Sequence, residues 1–273
     1  MKRLLPPLAL AALVSTLAAC GGGGGSNNTT STSASNIPNP IVYCVDTTYP
    51  PAESIVNGKA AGYDIDIANA IAKQLGSTAQ IKTTGFTVII PALLHKKCNA
   101  IISSMTITPD RAKQVKFVPY LDVGTFLMVK KGNPSHITGF ASLSGHSAAV
   151  EAATTQLAAL QAENKVLQKQ GKPLIGIKSY PADTSAAAAI QAGKVTAYAA
   201  DAPPVLYYVR KTHGQFVQTT GKQLSTSPEG IATRKSDPLG PQINNAIQAL
   251  YLNGKMKTIL AKWQASQFAL KTQ

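Results

Sequence analysis

The sequence predicts an α/β fold of two successive lobes, each a mainly parallel sheet flanked by helices. Three observations predict it. From Ile41 onward, β-type runs alternate with helix-period runs, a pattern that favours parallel sheets with crossover connections. The alternation is interrupted by one long extended stretch, "FVPYLDVGTFLMVKKG" (117–132), and then resumes. Polar residues collect where strands of both halves end, and ligands bind such sheets beyond the carboxyl ends of the strands.

The elements follow in order. "IVYCVD" (41–46) reads as a buried strand closed by "TTYPP". After a short loop, "GYDIDIANAIAKQLG" (62–76) places Ile67, Ala68, Ile71, Ala72 and Leu75 on one helical face. Asp64 and Asp66 fall in or before its first turn, where the helix dipole favours anions. Gly76 is its stop. "AQIKTTGF" (79–86) is a second strand, and "TVIIPALLHKK" (87–97) a helix that tolerates Pro91 in its first turn. "NAIISSM" (99–105) is a third strand. "TPDRAKQV" (108–115) is a helix capped by Thr108 with Pro109 at its first position.

In the second half, "HSAAVEA" (146–152), "IGIKSYP" (175–181) and "VTAYAAD" (195–201) are strands. The helices "TTQLAALQAENKVLQKQG" (154–171), "DTSAAAAIQAG" (183–193) and "APPVLYYVRKTHG" (202–214) alternate with them. "GIATRK" (230–235) is a late strand, and the segments 239–254 and 256–268 are closing helices.

The N-terminal end stands outside this pattern. Lys2 and Arg3 precede an apolar run that stops at Cys20, the layout of a secretory signal peptide over residues 1–19. "LAAC" (17–20) resembles the bacterial lipobox, which implies lipidation of Cys20; the alternative is an ordinary signal peptide cut nearby. Residues 20–40, rich in Gly, Ser, Thr and Asn, read as a flexible tether. No later stretch is apolar enough to span a bilayer. The formal charge of +14 would suit nucleic acid. The lysines are scattered, however, and an exported protein meets anionic lipid or wall polymer instead.

Two cysteines remain, Cys44 in the first strand and Cys98 just before the third. In an oxidising compartment they form either a disulfide or two buried thiols. His95, His136, His146 and His213 show no metal-ligand spacing, so no metal and no cofactor is expected.

Candidate ligand contacts lie at the strand ends: Asp46; Ser103, Ser104 and Thr106; Thr154 and Thr155; and Asp201. Arg111 follows the second group at a helix start, where backbone N–H groups and a planar guanidinium both suit a carboxylate. The plainer reading of Arg111 is a surface ion pair, and that of Thr154, Thr155 and Asp201 is helix capping. A cation in one half facing an acid in the other would suit a zwitterion.

"DTTYPPAES", "GYDIDIANAIAKQLG", "FTVIIPALLHKKCNAIISSMTITPDRAKQVKFVPY" and "GIATRKSDPL" resemble the bacterial extracellular solute-binding proteins of family 3, from about Ile41 to Phe268. These are amino-acid receptors of ABC importers, with a type II periplasmic-binding-protein fold. The resemblance implies lobes of residues 41–122 with 228–273, and 123–227, joined by a two-segment hinge. It implies an α-carboxylate clamp of Ser104, Thr106 and Arg111, beside Ser103. It gives Thr155, with Thr154, the second-lobe contact, and Asp201 the α-ammonium. Tyr49 and Phe86 match aromatic walls over the ligand side chain, and Asp46 a side-chain contact.

The sequence departs from the pattern in three places. Ala52 replaces an aromatic, Ala152-Ala153 stand where glycine is common, and Thr196-Ala197 replaces Asp-Ala. The expected protein is a monomeric, membrane-anchored receptor that gives a free L-amino acid to permease subunits. Asp46, with Glu53 behind it, favours a polar or cationic side chain. The rivals are a prephenate- or arogenate-type dehydratase, a lytic-enzyme module, and a sensor or adhesin on the same fold.

Overall fold

The computed structural model describes residues 37–219 and 224–271. The expected signal peptide, the expected lipidation at Cys20 and the expected tether up to residue 36 lie outside the described residues. Ile37 to Pro40, assigned to the tether above, begin the fold. Ile37 packs against the main core, and Ser77 donates a hydrogen bond to the Pro38 carbonyl at 2.7 Å.

Strand β1 (Ile41–Val45) leads into a small antiparallel sheet of β2 (Thr48–Tyr49), β3 (Glu53–Val56) and β4 (Lys59–Ala61). Its β3–β4 turn is Asn57-Gly58, both with positive φ, the backbone a two-residue hairpin needs. The segment expected as a short loop is this hairpin, and Asn-Gly is its local signal.

Helix α1 (Tyr63–Gln74) starts at Gly62. There φ is +149°, and a Cβ would stand 1.9 Å from the Ala52 carbonyl oxygen, so only glycine fits. β5 (Ala79–Thr83), α2 (Ile89–Leu94), β6 (Ala100–Ile101) and α3 (Pro109–Ala112) complete the first half. The predicted second strand ends at Thr83, because Phe86 opens a 3-10 turn, Phe86–Val88. The predicted third strand shrinks to two residues. Beyond Ile101 the chain leaves the ladder, and the Ser104 N–H goes to Asp64 Oδ2 at 2.8 Å.

The long extended stretch is one strand, β7 (Lys116–Lys130). Next come β8 (Ser147–Glu151), α4 (Thr155–Lys169), β9 (Gly176–Tyr180), α5 (Asp183–Gln191), β10 (Ala197–Asp201), α6 (Ala202–Lys211) and β11 (Phe216–Gln218). β12 (Thr226–Thr233), α7 (Leu239–Leu252) and α8 (Lys255–Lys262) close the chain.

Among the described residues, the main sheet runs β5-β1-β6-β12-β7-β10-β8-β9, with β11 also on β7. Both outer wings are parallel: β5 and β6 flank β1, and β9 and β10 flank β8. The centre is antiparallel. The first part of β7 pairs with β12, and its last part with β10 and β11. One strand therefore serves both lobes. The largest apolar cluster, around Ile71 and Ile243, extends from the first wing to Ile190, Tyr198 and Val205 of the second, and a further cluster, around Leu127 and Leu160, lies within the second wing.

Cys44 and Cys98 form a disulfide, with Cα atoms 5.7 Å apart, inside a third cluster with Ile89, Leu93 and Ile101. Among the described residues no helix is long and apolar enough to cross a membrane.

Candidate functional site

All ten residues named above for ligand contact line one cleft between the lobes, joined there by Glu53, Glu151 and Gln156. The cleft is closed. The space open to the centre of a water-sized sphere is about 10 Å³, about enough for one water.

The first-lobe wall is built where β1 and β6 end. Asp46 is buried, and both its oxygens are engaged: Oδ1 accepts from Thr48 N–H at 3.0 Å and Oδ2 from Phe86 N–H at 2.7 Å. The Asp46 N–H donates to Ser103 Oγ at 2.9 Å, and Ser103 donates to Glu53 Oε1 at 2.8 Å. Ser104 adopts a positive φ of 38°, which turns its hydroxyl to within 3.0 Å of Tyr63 Oη. Tyr120 donates to both oxygens of Asp64 beneath it. Burial pushes Asp64 up to about 6 and holds Glu53 well above the carboxylate range, so of this adjacent pair Glu53 keeps the proton.

Arg111 is positioned by α3, whose cap is Thr108. Its Nη1 donates to the Thr106 carbonyl at 2.8 Å, and its Nη2 crosses the cleft to the Ala153 carbonyl at 3.0 Å. Its guanidinium carbon lies 5.3 Å from the centre of the Phe86 ring, within cation–π range. Burial penalises its charge, and Asp201 offsets that cost. Two engaged donors leave three N–H groups free to fork onto an anion.

The second-lobe wall starts at the end of β8. Thr154 caps α4: its Oγ1 accepts from Leu157 N–H and donates to the Glu151 carbonyl. Thr155 Oγ1 stands 3.5 Å from Thr106 Oγ1 across the cleft. Ala153 takes φ +62°, so the left-handed backbone survives without glycine. That costs about 1 kcal/mol and aims the carbonyl that Arg111 meets. Asp201 ends β10. Its Oδ1 accepts from Gln156 Nε2 at 2.7 Å, and its Oδ2 from Tyr49 Oη at 2.9 Å. Gln156 also donates to Thr125 Oγ1.

The carboxyls face one another. Burial, with Asp183 and Asp46 nearby, pushes Glu151 up to about 10, and its Oε1 is buried without a hydrogen-bond partner. Asp183 is pushed to about 8 by burial, and Asp201 to about 6 by burial, against the pull of Tyr49, Gln156 and Arg111. Glu229, on β12 opposite Thr106, is raised by burial and by Asp201 and Asp64.

Sequence reasoning missed Glu151 and Gln156. Each is one residue from a feature it did use, the end of a strand and the Thr154-Thr155 cap. Their signal was polarity at those two ends.

The family model for bacterial extracellular solute-binding proteins, family 3, matches residues 41–266. The ABC transporter arginine-binding protein 1 of Escherichia coli (strain K12) is 32% identical over 232 residues, covering 82% of this chain and 90% of the relative. The structure of an ancestral arginine-binding protein bound to arginine superposes with a TM-score of 0.75 at 34% identity, over 83% of this chain and 98% of that one. An ancestral arginine-binding protein bound to glutamine gives 0.75 at 33%, over 84% and 99%. With a match that runs from β1 past the end of α8, and two lobes closing on a polar cleft, this chain belongs to the bacterial extracellular solute-binding proteins of family 3.

Proposed function

We propose that the protein captures a cationic L-amino acid, arginine first among them, in the interlobe cleft and passes it to an ABC permease. The observation that carries this is charge balance. The cleft lining holds four carboxyl groups, Asp46, Glu53, Glu151 and Asp201, and one guanidinium, Arg111. The ligand's own carboxylate answers Arg111, and its ammonium answers Asp201. Of the other three acids, Asp46 is held by two backbone N–H groups and Glu53 keeps its proton, while Glu151 is neutral only because burial penalises its charge and no cation faces its unpartnered Oε1. A guanidinium or ammonium side chain supplies the missing charge. The Escherichia coli relative and the ancestral structures carry arginine in their names, which supports the same ligand.

In this reading Arg111 forks onto the α-carboxylate, with Ser104, Thr106 and Thr155 adding hydroxyls. Asp201, steadied by Tyr49 and Gln156, receives the α-ammonium. Phe86 and Tyr49 flank the side chain, and Asp46 and Glu151 receive its charged end. Ser103 and Thr154 shape the walls by holding Glu53 and the start of α4.

The lobes comprise residues 41–122 with 228–273, and 123–227. The hinge lies where Asp122–Gly124 of β7 pairs with Thr226–Pro228 of β12. Closure is a two-state motion stabilised by ligand contacts from both sides. The protein is exported, held to the membrane by lipidated Cys20, and monomeric. In this reading it uses no cofactor and makes no bond, and prephenate and arogenate incubated with it are expected to stay intact.

A thermal-shift screen of the twenty amino acids, followed by calorimetry, tests the reading. Arginine is expected to give the largest shift and lysine a smaller one. A large shift with glutamate or aspartate, and none with arginine, lysine or histidine, overturns it.

A further inference from the structure

Charge in this fold is segregated by depth. Seven of the twelve carboxylates are buried, at or beside the cleft described above. The exterior is left cationic, and on one face the cations line three adjoining hollows. The first, about 540 Å³, lies between α1 and the α7–α8 turn and holds Lys73 and Lys255. The second, about 340 Å³, shares these two and adds Lys262. The third, about 350 Å³, shares Lys262 and reaches Arg210 and Lys211 on α6. These five cations face one carboxylate, Asp66, which Lys262 Nζ and Trp263 Nε1 already contact at 2.7 Å each.

Two apolar groups adjoin these hollows, Leu252 by its place between the lining residues Leu250 and Asn253 and Trp263 as a lining residue itself. Leu252, at the α7–α8 turn beside Lys255, is 88% exposed. Trp263, the chain's single tryptophan, lines the third hollow half-buried, with Lys262 Nζ 5.1 Å from its ring centre. The N-terminal segment also enters the fold here. Pro38 and Asn39 are bound by Ser77 and Thr78, just past the end of α1 where Lys73 and Gln74 line the first hollow.

We propose that this face, from Lys73 and Leu252 across Lys255 and Lys262 to Arg210 and Lys211, is a docking surface for an anionic phospholipid bilayer. Each lysine or arginine near an anionic leaflet contributes about a fivefold gain in binding. Leucine and tryptophan set among cations sit at headgroup depth. A soluble wall polymer would match the cations but offer nothing to Leu252 or Trp263, and that decides for the bilayer. The proposal is independent of which amino acid fills the cleft.

The test mixes the full chain with vesicles of phosphatidylcholine alone or enriched in phosphatidylglycerol, read by co-sedimentation and by Trp263 fluorescence. Three proteins are compared: the native chain, the Lys73→Gln/Arg210→Gln/Lys211→Gln/Lys255→Gln variant, and a control in which Lys169, Lys172, Lys178 and Lys194, none of which lines these hollows, are changed to Gln. All share the same N-terminal segment, so differences between them report the folded face. Circular dichroism secures that each is folded. The native and control chains are expected to prefer anionic vesicles, with a blue shift of Trp263. The groove variant is expected to lose about tenfold or more of that preference, and Leu252→Asn a few-fold. Equal loss in the control, no preference in the native chain, or binding to soluble poly(glycerol phosphate) without vesicle partition overturns the proposal.

Discussion

Tyr49 and Asp201 hold each other across the cleft by two hydrogen bonds. The phenol donates to Asp201 Oδ2 at 2.9 Å and accepts from the Asp201 N–H at 3.0 Å. One residue comes from the small β2–β4 sheet, the other from the end of β10, so the pair closes only when both lobes close. Tyr49→Phe keeps the ring and removes both bonds. A hydrogen bond to a charged group contributes about 1.5–3 kcal/mol. Arginine affinity should fall about tenfold, and small-angle scattering should show a more open ligand-free form. An unchanged scattering profile and an unchanged Kd would remove the latch role.

Glu151→Gln separates side-chain recognition from the clamp. Burial already keeps Glu151 neutral at pH 7 in the closed, ligand-free cleft, and glutamine mimics that state. The ligand-free melting temperature should hold or rise. Arginine affinity should drop by about tenfold or more as a charge-assisted contact is lost, while glutamine affinity stays level. Calorimetry with both ligands checks it; an equal loss for both would place Glu151 outside side-chain recognition.

Stability should depend on pH in an unusual direction. Asp64 and Asp201 rise from 3.8 to about 6 in the folded state, and Asp183 to about 8, chiefly through burial. The folded state therefore binds more protons than the unfolded one above pH 4. Stability present below that value is lost as pH rises through 6 and then 8. The ligand-free melting temperature should fall from pH 5 to pH 8, while the shift produced by arginine grows. A ligand-free melting point that climbs over this range would contradict it.

Ala153→Gly should stabilise the protein. The native φ of +62° costs alanine about 1 kcal/mol and glycine almost nothing. The melting temperature should rise by about 2 °C with arginine binding retained, because the carbonyl that Arg111 meets is unchanged. Scanning calorimetry decides the sign.

The Cys44–Cys98 bridge spans a sequence separation of 54. Chain entropy over such a loop corresponds to about 4 kcal/mol. The double variant Cys44→Ala/Cys98→Ala should melt about 10 °C lower. A shift of a degree or two would show that the buried cluster around the bridge suffices alone.

The lobes were legible because alternation of strands and helices is a local pattern. Seven of the cleft residues were legible because they stand at strand ends and Arg111 because it opens a helix, whereas Tyr49 and Phe86 were reached only through the family resemblance. What was not legible depends on contacts far apart in sequence. Nothing local to Tyr49 says that its hydroxyl meets Asp201, 152 residues away. Nothing in "NAIISSM" says that Ser104 gives up its ladder bond to Asp64. The roles of Glu151 and Gln156 likewise follow from burial against the opposite lobe. The Asn57-Gly58 hairpin was legible and was passed over, because its two strands are short and carry no clear alternation.

Carboxyls that keep their protons inside the fold do not count toward its charge in an electric field. Glu53 and Glu151 are neutral at pH 7 in the ligand-free form, so the protein should migrate as more cationic than its count of charged residues implies. When a cationic amino acid enters, the Glu151 proton leaves as its charge arrives. Loading should then change electrophoretic mobility far less than the cargo's own charge implies, and the released proton should appear instead as a buffer-dependent heat.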